Sequence, residues 1–117
     1  MSAKTALRIA ASFGFLAVAL GAFGAHGLKN LLEQNQTTEI WKTASLYHLV
    51  HAVVLLVLAG WQVVPRWAFR LISLGLVIFS GSLYLLAVTN VKWLGAITPI
   101  GGLALLAGWA LLACRRS

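Results

Sequence analysis

Four apolar runs, at about residues 9–28, 46–64, 67–88 and 94–114, leave this chain few ways to fold. Each is close to the roughly 20 residues an α-helix needs to cross about 30 Å of hydrocarbon. A segment crossing lipid must satisfy its own backbone polar groups, and runs of this length do so as helices. Composition agrees: 61% of the 117 residues are hydrophobic and 9% are charged, too little polar surface to coat a soluble fold. Pro65 with Arg66 separates the second run from the third, and the segment 89–93 separates the third from the fourth. Connections this short make neighbours antiparallel. The expectation is one domain over residues 1–117, an all-α integral membrane antiparallel four-helix bundle.

The longer connection, 29–45, places Leu28, Leu31 and Leu32 at helical spacing before a polar stretch, so it is expected to lie along the interface. Thr37 or Thr38 is expected to cap the second spanning helix, with Glu39 at the positive end of its dipole. Trp41, Trp61, Trp67 and Trp93 fall near span ends, where indole rings anchor in the headgroup layer. Four spans put both termini on one side. That side carries Lys4, Arg8, Arg66, Arg70, Arg115 and Arg116, while the other carries Lys29, Lys42 and Lys92 with both acids, Glu33 and Glu39. The positive-inside rule then gives a multi-pass protein of the plasma (inner) membrane with cytoplasmic termini. The net charge of +7 is a topology signal, and no aromatic-interleaved basic stripe accompanies it, so nucleic acid is not an expected partner. A basic start followed by an apolar run also fits a cleavable signal peptide, but three remaining spans would leave the charge asymmetry unexplained. The single cysteine, Cys114, has no intramolecular disulfide partner.

Counting depth at about 1.5 Å per residue gathers the polar residues of the spans at one level, in the half away from the termini. His26, Tyr47, His48, His51, Ser82, Tyr84 and Thr98 all fall there and form the expected ligand-binding pocket, with His26, His51 and Tyr84 facing the bundle interior. His48 and His51, three apart, share a helical face. An ionisable residue inside a membrane is costly and normally faces a partner or a water-filled space. Hydrogen bonding within the bundle accounts for these groups without any ligand. Metal or haem ligation by His26 with His48 or His51 is the alternative, weakened by the lack of a carboxylate in any span to orient the imidazoles. The same lack leaves Ser80, Ser82 and Thr98 without an acid to complete a catalytic triad, so no catalytic residue and no cofactor is expected.

Ala10, Gly14, Ala17, Gly21 and Gly24 or Ala25 recur every three to four residues, a small-residue seam for close helix contact. Gly75 with Ser82, and Thr98 with Gly101 or Gly102 and Gly108, extend the pattern to the third and fourth runs. Thr98-Pro99 is expected to open the regular part of the fourth span.

The strings GAFGAHGL at 21–28, YHLVHA at 47–52, FSGSLYLL at 79–86 and ITPIGG at 97–102 resemble, in this order, the YgdD-like family of small inner-membrane proteins, a domain of unknown function shared with small eukaryotic transmembrane proteins. The resemblance covers nearly the whole chain and implies a four-span, all-helical protein. It implies no reaction, substrate or cofactor. The expected function is a non-enzymatic binding or accessory module taking a lipid-like ligand or a partner membrane protein. A metal- or haem-binding redox subunit, or a transporter or channel assembled as a homo-oligomer, are the alternatives.

Overall fold

The computed structural model describes residues 1–115 and contains four helices long and apolar enough to span a membrane. In chain order the helices are α1 (Ala3–Ala25), the short α2 (Lys29–Asn35), α3 (Thr38–Ala59), α4 (Arg66–Thr89) and α5 (Thr98–Ala113), the last preceded by a 3-10 turn at Lys92–Ala96. α1, α3 and α4 begin before their apolar runs, α1 and α3 also end before them, and α5 lies within its run. α1 begins at Ala3, where the Ser2 hydroxyl accepts from the Thr5 N–H, and α3 begins at Thr38, before its apolar run does. Pro99 sits in the first turn of α5, where a missing N–H costs nothing.

The spanning helices form a row, and the ring of a closed bundle is absent. α1 packs on α3, α3 on α4 and α4 on α5, while among the described residues α1 meets neither α4 nor α5 with any Cα pair within 8 Å. The molecule is correspondingly flat, with principal extents of 49 × 25 × 17 Å. The N-terminus and the end of α5 lie at one end, the terminal face, where Arg115 Nη2 donates to the Val63 carbonyl of the α3–α4 turn. α2 lies at the opposite end, the α2 face. Arg116, counted above with the terminal charges, lies outside the described residues.

Helices in lipid gain little from burying apolar surface, so close packing and polar ties hold them together. At the α4–α5 seam a Cβ added to Gly101 would strike the Phe79 backbone, and one added to Gly75 would lie 2.8 Å from both the Gly101 carbonyl and the Leu105 nitrogen. Backbone meets backbone, so no rotamer change relieves these clashes. The α1 seam differs from expectation. Ala6, Ala10, Ala17 and Gly24 are buried, but a Cβ on Gly14 or Gly21 would meet nothing within 4 Å. Only part of the small-residue stripe is therefore a contact surface.

Candidate functional site

The α2 face is built by two polar ties. The last carbonyls of α4 have no intrahelical donors. Thr37 Oγ1 donates to the Ala87 carbonyl at 2.7 Å, and Asn35 Nδ2 reaches the Ala87 and Val88 carbonyls at 3.1 Å each. Thr37 stands at the N-cap position of α3, yet its side chain makes no capping bond and closes the end of α4 instead, which corrects the capping expectation. The turn between α2 and α3 is completed by Gln36 in the left-handed region, at φ 57°. Trp41 gives the second tie. It is 5% exposed, its Nε1 donates to the Leu20 carbonyl of α1 at 3.1 Å, and its ring packs on Tyr84 at 4.6 Å. Of the four tryptophans read as interfacial anchors, Trp41 is thus a buried bolt between α1 and α3, and Gly24 is the notch that receives its indole. Trp61, Trp67 and Trp93 are exposed.

Beside this bolt lies a cavity of about 430 Å³, walled by Gly21, Gly24 and Ala25 of α1, Lys29, Leu32 and Glu33 of α2, and Thr38, Trp41, Lys42 and Ser45 of α3. Its surface is mainly apolar, with two lysines against one glutamate among its charged groups. Lys42 also pairs with Glu39 at 3.5 Å, an exposed bridge of little energetic weight. None of the seven residues picked from the sequence lines this cavity. Gly21 and Gly24 of GAFGAHGL do, and His26 and Gly27 do not.

The seven are dispersed into separate sets. His26 caps the C-terminal end of α1 with its backbone N–H on the Ala22 and Phe23 carbonyls, and the residue is exposed. The expectation that it faces the bundle interior is corrected: the helix ends one residue earlier, so the side chain lies outside any packed face. His48 and Tyr84 meet, with Nδ1 2.9 Å from the phenol oxygen, and the Tyr84 hydroxyl stands 3.5 Å from Ser45 Oγ. Tyr47 lies nearly parallel to the His51 imidazole, and its backbone carbonyl is 2.8 Å from His51 Nδ1. Ser82 Oγ and Thr98 Oγ1 lie 2.6 Å apart across the α4–α5 seam.

His51 has a second partner that sequence reasoning missed, Trp109, whose Nε1 donates to His51 Nε2 at 3.1 Å. An indole N–H only donates, so Nε2 must accept and Nδ1 must carry the ring proton, which it gives to the Tyr47 carbonyl. A neutral His51 thereby ties α3 to α5 with both nitrogens engaged. Trp109 stands within the fourth apolar run, where its N–H needed an acceptor, and that need was the available signal. With His26 outside and His51 fully engaged, the three imidazoles weighed as metal or haem ligands do not converge. Among the described residues no three of His, Cys, Asp and Glu come together to hold a metal ion.

Four apolar helices, joined through glycine notches and side-chain ties to backbone carbonyls, define a small multi-pass helical membrane protein. The chain matches the family described as a protein of unknown function, DUF423, over residues 20–102, and it belongs to that family. Its relatives include the UPF0382 membrane protein of Staphylococcus epidermidis, 42% identical over 93% of this chain and 92% of its own length. The UPF0382 membrane protein YwdK of Bacillus subtilis is 40% identical over 93% of each chain. The UPF0382 inner membrane protein YgdD of Escherichia coli is 38% identical over 96% of this chain and 88% of its own. No solved structure matches.

Proposed function

We propose that this protein is a non-enzymatic binding module of the plasma (inner) membrane, and that its ligand is an anionic, lipid-like amphipath held in the cavity at the α2 face. The observation carrying this reading is the cavity itself. Its size falls within the roughly 300–1,000 Å³ typical of small-molecule sites. Its walls are apolar and Lys29 and Lys42 border it. In this arrangement the lysines take the anionic head and the glycine-lined wall of α1 takes the apolar part. Cytoplasmic termini follow from the charge asymmetry and set the α2 face outward.

Gly21 makes the reading testable, because it lines the cavity and a Cβ there would meet no atom within 4 Å. Native mass spectrometry of detergent-purified protein with added phosphatidylglycerol or phosphatidylcholine is the measurement. Wild-type protein is expected to retain phosphatidylglycerol preferentially. Gly21→Leu is expected to lose that retention while folding normally, and Lys29→Gln and Lys42→Gln to weaken it about fivefold each, the effect of roughly 1 kcal/mol per interfacial lysine. Equal retention of the two lipids, or full retention by folded Gly21→Leu, overturns the proposal.

A further inference from the structure

Among the described residues, two buried side-chain polar atoms have no hydrogen-bond partner, His48 Nε2 and Ser73 Oγ. They belong to different helices, yet both residues border the cleft between α1 and α4, the helices whose backbones do not meet. The cleft widens twice, to about 350 Å³ beside Ser73 and about 160 Å³ beside His48, and Phe13 and Val77 line both widenings. At the second, Gly81 leaves open space, for a Cβ on it would meet no atom within 4 Å. The imidazole is only 5% exposed and is fixed through Nδ1 by Tyr84. Phe13 faces it from α1 with its ring edge-on at 6.2 Å and its carbonyl outside hydrogen-bond geometry.

An unpaired imidazole nitrogen in an apolar cleft costs free energy on the scale of a lost hydrogen bond. Water is a poor remedy, because it needs two to four polar partners and the walls here are almost wholly apolar. We infer that this cleft is a second binding site, for an uncharged lipid-soluble molecule whose hydroxyl group hydrogen-bonds to His48 Nε2. A hydroxyl both donates and accepts, so it satisfies Nε2 whichever way the Tyr84 proton points, to His48 Nδ1 or to Ser45. No Lys, Arg, Asp or Glu lines this widening, which sets its chemistry apart from that of the lysine-bordered cavity.

The test uses the full chain in phosphatidylcholine nanodiscs, labelled with 15N at histidine, and a diazirine-bearing alkylphenol as probe with the matching alkylbenzene, which carries no oxygen, as the control. Expected are saturable crosslinks at Phe13, Val77 or Gly81, a shift of the His48 Nε2 resonance with the phenol alone, and about tenfold weaker labelling by the alkylbenzene. His48→Phe is expected to give the same tenfold loss. Gly81→Leu fills the widening, leaves His48 in place and is expected to abolish labelling, which keeps the inference falsifiable if His48→Phe does not fold. Leu103→Ala, at an exposed position of α5 that lines neither cavity, serves as the folded control with unchanged labelling. Equal labelling by phenol and alkylbenzene, persistence in folded Gly81→Leu, or an Nε2 already hydrogen-bonded to the Phe13 carbonyl without probe overturns the inference.

Discussion

His51 carries a proton whose position its neighbours dictate. Trp109 can only donate, so the neutral ring keeps its hydrogen on Nδ1, the less usual place for a free imidazole, and hands it to Tyr47. In 15N spectra His51 is expected to show a protonated Nδ1 and an unprotonated Nε2; the opposite tautomer would disprove the Trp109 bond. Trp109→Phe removes the donor while keeping an aromatic ring, and is expected to lower stability in reversible detergent unfolding by about 0.6 kcal/mol, the mean for interhelical hydrogen bonds in membranes, and by no more than about 1.7 kcal/mol, their maximum. His26 is the contrast. Its sequence neighbours suggested a buried group in a bed of glycines, but the helix stops at Ala25 and the side chain leaves the fold.

Among the helices, glycine has two opposite uses, and they separate by what surrounds the missing Cβ. Gly75 and Gly101 let α4 and α5 touch backbone to backbone, whereas Gly14, Gly21 and Gly81 face open space. Gly101→Ala is therefore expected to cost several kcal/mol and to abolish a monodisperse peak on gel filtration, since backbone atoms cannot step aside. Gly14→Ala is expected to leave the thermal midpoint unchanged or raise it, through roughly 0.5–1 kcal/mol of helix propensity. The spans, their antiparallel order and the α4–α5 seam were legible in the sequence because length and spacing alone decide them. The two uses of glycine were not, because a gap every three or four residues reads the same whether a helix or a void fills it. The candidate site fell to the same ambiguity. Depth put seven polar groups at one level, but their rotation about four helix axes paired them off as His48 with Tyr84 and Ser82 with Thr98. The cavity arose instead where Trp41 wedges into Gly24, a long-range fit with no periodic signature.

For the whole molecule, one face carries the N-terminus, the end of α5 and, near them, Arg66, Arg70 and Arg115, each guanidinium lying within 6.0 Å of a tryptophan ring centre. Such pairs hold cations at the headgroup level. Cys114, exposed and the only cysteine, reports which side this face occupies without any engineering. A membrane-impermeant maleimide is expected to leave it unmodified in intact cells and to modify it after permeabilisation; labelling of intact cells would reverse the assigned orientation.

The row of helices also has a mechanical side. α1 lies on α3 along a strip of alanines whose shallow relief offers little resistance to sliding, its backbone stays clear of α4 and α5 while its side chains share a core with Phe69 and Ile72, and Trp41 pins it in register by gripping the Leu20 carbonyl and seating against Gly24. A lever fixed near one end moves most at the other. A change in bilayer thickness is therefore expected to be taken up by the terminal half of α1, altering the width of its gap to α4 while the other helix pairs keep their register.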